Sequence, residues 1–423
     1  MPSASEPKGL STVGLYAFRP APDFYPFWKA CGYNLLQFID HTFSLPPEAR
    51  EAGLEQLARG IEEAHEAGFR VDIIELSNIT SWPDYPDPSV FDPLDEAVMG
   101  ARLEAIHRGV QLLSEADSFT FFAGDPGGAP NPLGAAGVLL WKRLTDAVRQ
   151  LVQHTAPQAQ FNANVWAITA WEDHSNSAFK APFWKKETLF DRLLVEDAGL
   201  GGPECGLQFP LHNYYRSLVF KAFDEIGEVP EPYPLAEDIQ RLRERGVTRL
   251  WGWAHFLIDE VDDGYTGYAG DKVHPAQAET RYLHRLVGQA RGIGLDGLIS
   301  NTDSKDAYLE QTNLYAFARC CHDETATPQS VTAEFAAQLA EPGSAGDLAR
   351  VLRFIENHST WEASLPPQYR LPAFEEVGLA DACEALATLE KVQPRRQPDM
   401  PLAEPPAAYL ARLAERLRDL IRP

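Results

Sequence analysis

The sequence has few basic residues for its size. Its 423 residues include 37 lysines and arginines against 61 aspartates and glutamates, a formal net charge of −24. A surface this acidic repels phosphate backbones and anionic lipid headgroups. We therefore expect neither a nucleic-acid partner nor a membrane partner.

Long apolar runs are also absent. No run approaches the roughly 18 residues that cross a bilayer, and residues 1–10 lack the basic start and apolar centre of a secretory signal. We expect a cytoplasmic protein.

Cysteine is scarce, and its spacing excludes its usual structural uses. The five cysteines are scattered and form no CxxC motif; they are Cys31, Cys205, Cys320, Cys321 and Cys383. Disulfide frameworks and zinc sites need paired cysteines at short spacings. The sequence therefore predicts reduced, buried thiols, with no structural zinc and no cofactor.

What the sequence does contain is a regular alternation of β-like runs and helical stretches. Candidate strands recur about every 40 residues, the length of a βα unit that carries insertions. The eight strands are Thr12–Phe18, Tyr33–Asp40, Phe69–Ser77, Ser118–Gly124, Phe161–Ala170, Cys205–His212, Val247–His255 and Leu295–Thr302. Helical patterns fill the gaps at Pro47–Ala67, Leu94–Ala116, Trp141–His154, Leu235–Arg245 and His274–Arg291.

Several helical stretches end on a glycine that leads straight into a strand. These glycines are Gly32, Gly68, Gly246 and Gly294. A glycine at this position adopts the left-handed conformation that stops a helix. The strands themselves are apolar with little alternation, which is typical of parallel strands covered on both faces.

Eight βα units predict an α/β fold of the (β/α)8 TIM-barrel type. The competing architecture is an open doubly wound sheet, but no GxGxxG or Walker loop follows an early strand. After Asp323 four amphipathic helices follow instead, at Pro328–Leu339, Gly346–Ser364, Phe374–Val392 and Ala407–Ile421. We predict a barrel over residues 1–325 and a helical region over 326–423 that packs outside it and contributes stability or dimer contacts rather than chemistry.

Catalytic groups of this fold come from the carboxyl ends of the strands. Polar and aromatic residues follow all eight candidate strands, and the opposite ends carry far fewer. In chain order they include Arg19, Asp40, His41, Glu75, Asp125, Trp171, Glu172, Asp173, His212, Asn213, Tyr214, Arg216, Trp253, His255, Asn301 and Asp303. We predict a site built from these residues.

Two carboxylates are the best candidates for chemistry. Asp125 follows an apolar strand and precedes a Pro-Gly-Gly turn that aims it, although an Asx turn would explain it equally. Glu172 follows Trp171, and an indole beside a carboxylic acid raises the pKa of that acid; the alternative is a solvated loop acid. We predict Glu172 as the acid and Asp125 as its partner, with Asp303, Asp40 and Asp173 in reserve.

Other strand-end residues suit ligand binding. The range His212–Arg216 is an unbroken run of five hydrogen-bonding or stacking side chains. Trp253 and His255 share one face of the seventh strand; they lie near the barrel mouth if that face is interior, and against the helices otherwise. Arg19 either recognises an anionic ligand group or neutralises nearby acids. His41 and Asn301 complete the predicted binding set.

Several segments resemble the barrel core of glycoside hydrolases of the β-hexosaminidase and α-glucuronidase type. They are Phe119–Gly128, Phe161–Trp166 followed by Trp171, Gly294–Asn301, Asn313–Ala316 and Pro328–Glu334. The resemblance covers most of the chain in architecture and implies a barrel that acts on a carbohydrate. Hexosaminidases carry an adjacent acid pair at the fourth strand, whereas here Pro126 follows Asp125, so their substrate-assisted mechanism is not implied.

Three functions remain open. The first is an O-glycosyl hydrolase with two carboxylates flanking the scissile bond, which needs no metal. The second is a metal-dependent sugar isomerase or lyase, for which the ligands would be Glu75, Asp125, Glu172, His212, His255 and Asp303. The third is a carbohydrate-binding barrel without catalysis, consistent with the single acid before Pro126. We predict the first.

Overall fold

The protein is a closed barrel of eight parallel strands. A computed structural model describes residues 10–40, 47–76, 95–122, 135–165, 203–211, 235–254, 280–301, 311–357 and 379–421. The strands are β1 (Thr12–Phe18), β2 (Leu35–Asp40), β3 (Arg70–Leu76), β4 (Ser118–Phe122), β5 (Gln160–Asn164), β6 (Cys205–Pro210), β7 (Leu250–Ala254) and β8 (Gly297–Asn301). Each strand pairs in parallel with the next, and β8 closes on β1. The predicted (β/α)8 barrel is confirmed, and the open sheet is excluded.

Helices follow the strands and surround the barrel. In the described residues they are α1 (Tyr25–Cys31), α2 (Pro47–Glu66), α3 (Glu96–Leu112), α4 (Ala135–Thr155), α5 (Leu235–Glu244), α6 (Thr280–Gly292), α7 (Gln311–His322), α8 (Pro328–Leu339), α9 (Ala345–Asn357), α10 (Leu379–Leu389) and α11 (Pro406–Ile421). No helix among these is long and apolar enough to cross a bilayer. Within the described residues, β2, β3, β7 and β8 begin one to three residues later than predicted, since the apolar runs extend ahead of these strands.

The four glycines at helix ends adopt the conformation that the sequence predicts. Their φ angles are 106° at Gly32, 80° at Gly68, 86° at Gly246 and 84° at Gly294. Other residues avoid this left-handed region because Cβ approaches the backbone there. Each glycine therefore ends a helix and turns the chain into the next strand.

Three polar residues fasten the amino ends of neighbouring strands. Each precedes an even-numbered strand and accepts a backbone N–H from the strand before it. The pairs are Asn34 with Val13 at 3.0 Å, Asp117 with Val71 at 2.7 Å, and Asp296 with Leu250 at 2.7 Å. These bonds hold the strand register at the barrel face opposite the expected site.

The C-terminal helices share the core of the helical layer around the barrel. Phe335 of α8 packs on Tyr315 of α7 and on Tyr409 of α11, with ring centroids 5.2 and 6.2 Å apart. All three rings belong to the same buried cluster as the outward-facing strand residues, such as Leu15. The helices thus pack on the outside of the barrel and continue its core.

The predicted burial of the cysteines holds for four of the five. Cys31, Cys205, Cys320 and Cys321 are buried free thiols, and the last two lie in α7. Cys383 is exposed on α10, so for this residue the prediction was wrong. Local hydrophobicity indicates a helix there but does not specify which of its faces is covered.

Candidate active site

The inside of the barrel is polar at mid-height. The buried side chains that meet there are Gln37, Asp72, Ser118, Thr120, Asn162, Asn164 and Gln208, from strands β2 to β6. Interiors of this fold are usually filled by branched apolar residues. A polar interior therefore needs a complete set of hydrogen bonds, because a buried polar group without a partner is costly.

The carboxylate of Asp72 is the centre of this set. It accepts hydrogen bonds from Gln37 Nε2 at 2.6 Å, Thr120 Oγ1 at 2.7 Å and Gln208 Nε2 at 3.3 Å, and from the hydroxyl of Ser118. Asp72 is fully buried. One acidic group thus connects β3 with β2, β4 and β6 across the inside of the barrel, through neutral donors.

The carboxylate determines the direction of the bonds around it. The carboxylate oxygen accepts, so the Thr120 hydroxyl donates its hydrogen bond to Asp72. The Thr120 oxygen then accepts from Gln208 Nε2 at 2.8 Å and from Asn162 Nδ2 at 3.3 Å. Both amide hydrogens of Gln208 are used in this way, and its oxygen remains as an acceptor.

The Gln208 oxygen extends the hydrogen-bond network to the end of β5. Gln208 Oε1 accepts hydrogen bonds from Gln37 Nε2 and from Asn164 Nδ2, each at 3.2 Å. Asn164 is the last residue of β5, and its amide nitrogen is thereby turned towards Gln208. The buried Oε1 of Gln37 has no hydrogen-bond partner among the described residues. We call the seven side chains the Asp72 network.

Arg249 borders the Asp72 network on the amino side of the barrel. Its guanidinium donates to Asn162 Oδ1 at 3.3 Å and to the Phe161 carbonyl at 2.9 Å. Burial lowers the pKa of Arg249, and the surrounding acidic groups, Asp72 included, oppose the change. Gly206 leaves the space for this contact, because a Cβ there would collide with Asn162.

An aromatic group lies inside the barrel towards the carboxyl ends of β1, β4 and β7. Trp253 meets Tyr16 and Phe122 edge to face, with ring centroids 5.3 and 5.7 Å apart. We call these three residues the aromatic floor. Ile39 and Ile74 belong to the same interior cluster. The three rings are buried, and Phe122 is the register partner of Asn164 of the Asp72 network.

The structure describes few of the residues that the sequence nominates. Trp253 lies inside the barrel, together with Trp251, so the alternative in which it faces the helices is wrong. Arg19 is exposed directly after β1. Asp40 and Asn301 are the last residues of β2 and β8, and Glu75 lies in β3, but their side chains are outside the description. Also outside are His41, Asp125, Trp171, Glu172, Asp173, His212, Asn213, Tyr214, Arg216, His255 and Asp303.

The interior residues were not among those that the sequence nominated. Asp72, Asn162 and Arg249 are examples. The sequence does contain a signal for them: two polar residues, such as Asn162 and Asn164, stand two positions apart in an otherwise apolar strand. Alternation places such residues on one face. It does not indicate that faces of distant strands meet inside a barrel.

The described residues contain no group of three histidine, cysteine or acidic side chains that would hold a metal ion. The ligands proposed for the metal-dependent alternative lie outside those residues, or have undescribed side chains. That alternative remains a prediction.

Comparisons with known proteins support the fold. No protein-family model and no curated protein matches the chain. It is similar in structure to a family GH115 4-O-methyl-α-glucuronidase with specificity for decorated arabinogalactans, with a TM-score of 0.55 and 10% identity over 98% of this chain and 55% of that one. The chain thus spans about half of that enzyme's length.

Two further solved structures have lower TM-scores. The O-GlcNAc hydrolase of Thermobaculum terrenum has a TM-score of 0.46 at 12% identity, over 91% of this chain and 76% of that one. A family GH5 enzyme of Prevotella bryantii also has a TM-score of 0.46, at 11% identity over 72% and 87%. The likeness to barrel glycoside hydrolases is confirmed at the level of the fold.

Proposed function

We propose that this (β/α)8 barrel is a glycoside hydrolase that cleaves an O-glycosidic bond in an oligosaccharide or glycoconjugate. The observation that carries the proposal is the aromatic floor of Tyr16, Phe122 and Trp253 beneath the barrel mouth. Ligands of this fold bind at the carboxyl ends of the strands. The three rings are only 4 to 6% exposed, so they would form the covered apolar base of a pocket for the C–H faces of a sugar, and polar groups at the strand ends would bind its hydroxyls.

In the proposed mechanism, two carboxylates act on opposite sides of the scissile bond. Glu172 protonates the leaving oxygen, and Asp125 attacks the anomeric carbon or activates water. Both follow strands that pair directly, because Phe122 of β4 is the register partner of Asn164 of β5. Asp303, Asp40 and Asp173 are the reserve candidates. Carboxyl groups about 5 to 5.5 Å apart would give retention, and about 6.5 to 9.5 Å inversion.

The Asp72 network supports this arrangement from below. Thr120 of β4 and Asn164 of β5 both connect, directly or through Gln208, to Asp72. The two strands that lead to the proposed carboxylates are therefore held together inside the barrel. Catalytic groups need such support, because small displacements of a reacting group are costly in rate.

The test is a panel of chromogenic glycosides, including uronic and N-acetyl sugars, with Glu172→Gln and Asp125→Asn variants. We expect each variant to lower kcat by about 100-fold or more on the substrate that the native protein cleaves, because general acid–base catalysis contributes that much. Glu115→Gln, at an exposed site that follows α3, is the matched control and keeps native activity. Full activity of Glu172→Gln would exclude Glu172 as the acid.

The carbohydrate-binding alternative keeps support from one observation, Pro126 directly after Asp125. It predicts saturable binding of a sugar without turnover, measured by calorimetry against the same panel. The metal-dependent alternative predicts activity that EDTA abolishes and a divalent cation restores. Turnover that survives EDTA, and that the two carboxylate variants remove, supports the hydrolase over both.

A further inference from the structure

A buried carboxylate of the C-terminal helices reaches the first turn of a barrel helix. Glu356 lies near the end of α9 with 5% of its surface exposed. Its Oε1 accepts the backbone N–H of Arg281 at 2.7 Å, and both of its oxygens contact the Thr280 hydroxyl, at 2.8 and 3.0 Å. The Arg281 guanidinium adds an ion pair at 3.3 Å. Glu356 thus caps the amino end of α6.

The chemistry of the contact favours a fixed position for this turn. The first N–H groups of a helix have no partner within it, and the helix dipole attracts a negative charge to this end. Burial raises the pKa of Glu356, and the bonds from Arg281 and Thr280 oppose that change. Loss of the carboxylate would leave buried donors without an acceptor, so the turn would have no substitute cap.

The place of the contact connects it with the site. Helices of a (β/α)8 barrel run back along the strands, so their amino ends lie at the carboxyl face of the barrel. β7, which carries Trp253 of the aromatic floor, ends at Ala254, and the chain returns at Thr280 as α6. Glu356 therefore holds the return point of the connection that leaves β7 beside the floor.

A second buried carboxylate of the C-terminal helices provides a comparison. Glu404 is 7% exposed and pairs with Arg412 of α11 at 2.9 Å. Burial raises its pKa as it does that of Glu356. Both members of this pair lie in the C-terminal helical region, far along the chain from α6. The two glutamates are thus similar in burial and charge and differ in what they hold.

We infer that Glu356 is a positioning residue for the proposed active site, through which the C-terminal helices set the start of α6 and the return of the chain from β7. The helices that were expected to contribute stability or dimer contacts then contribute to substrate binding. The substrate readout rests on the proposed hydrolase function; the position of the α6 turn does not, and is measured separately.

Amide hydrogen exchange tests the position of the turn. In Glu356→Leu we expect exchange of the first-turn amides of α6 to accelerate about tenfold relative to the rest of that helix. Glu356→Gln keeps an oxygen for the Arg281 N–H and restores the protection. Glu404→Leu, the matched control, lowers stability without a selective change in α6. Equal exchange in both leucine variants would overturn the inference.

Kinetics tests the functional part. We expect Glu356→Leu to raise KM roughly fivefold with a smaller change in kcat, since it displaces the start of α6 at the carboxyl face of the barrel and no reacting group. Thr280→Val removes one donor and keeps the fold; we expect a smaller shift in the same direction. If KM changes only as much in Glu356→Leu as in a Glu404→Leu variant of the same thermal stability, the positioning role of Glu356 is refuted. If the native protein cleaves no glycoside, the proposed function fails while the exchange result still decides the cap.

Discussion

Gln208 donates an amide hydrogen to the carboxylate of Asp72 across the inside of the barrel, at 3.3 Å and over 136 positions of sequence. Both side chains are fully buried. The contact joins β6 to β3, which are not neighbours in the sheet, so it depends on closure of the barrel. The buried carboxylate and its neutral donors depend on each other. Substitutions of Asp72 that keep an acceptor and those that remove it should therefore differ sharply in their effect on the stability of the protein.

Asp72→Leu should destabilise the protein by about 3 to 5 kcal/mol, because the donors of Gln37, Thr120 and Gln208 lose their acceptor in a dry interior. Asp72→Asn should cost about 1 kcal/mol or less. Its amide oxygen keeps those donors, and its nitrogen faces the Ser118 hydroxyl, which also accepts. Urea unfolding of both variants measures the difference. Similar losses would show that the network does not depend on this acceptor.

Trp253→Phe should weaken binding of a sugar ligand roughly fivefold, since stacking on a ring contributes on the order of 1 kcal/mol. Trp28→Phe is the matched control: Trp28 is fully buried in the helical layer and stacks on Phe24 with centroids 5.6 Å apart. We expect it to lower stability and leave affinity unchanged. Calorimetric titration compares the two. Equal affinities of the Trp253→Phe and Trp28→Phe variants would show that the aromatic floor is not part of the binding site.

Gly246→Ala and Gly288→Ala should change stability in opposite directions. Among the described residues, apart from chain neighbours and the helix's own backbone, no atom lies within 4 Å of a Cβ added at either glycine, but only Gly246 has a positive φ, 86°. The alanine at 246 is strained by about 1 kcal/mol. The alanine at 288, inside α6, gains about 0.5 to 1 kcal/mol from lower chain entropy. Thermal unfolding of both variants decides whether φ, and not space, requires the glycine.

Alkaline pH should destabilise the protein through Cys205. Burial raises the pKa of this thiol from 9.0 to about 12. The unfolded chain therefore ionises first, so the stability that the neutral thiol contributes is complete below pH 9 and is lost as the pH rises towards 12. Cys205→Ala should flatten this decline in the free energy of unfolding. Cys383→Ala, at an exposed thiol, should leave it unchanged; equal slopes would contradict the assignment.

The sequence alone determined the parts that depend on short-range physics. Apolar runs marked the strands, and glycines such as Gly32 and Gly294 marked the helix ends, because the left-handed turn is a property of one residue and its neighbours. Counting the units was then sufficient to predict the barrel. The same reasoning placed Trp253 and His255 on one face of the seventh strand and left open which face that was.

Only the tertiary structure decided what lies inside. Three features depend on how distant segments pack together. They are the inward position of Trp253, the contacts that connect Asn164 and Gln208 with Asp72, and the cap that Glu356 provides for α6. Periodicity shows that residues share one face of a strand or helix. Which segment packs against that face depends on closure of the sheet and packing of the helices. A buried polar group is stable only with its partners, and those partners are remote in the sequence.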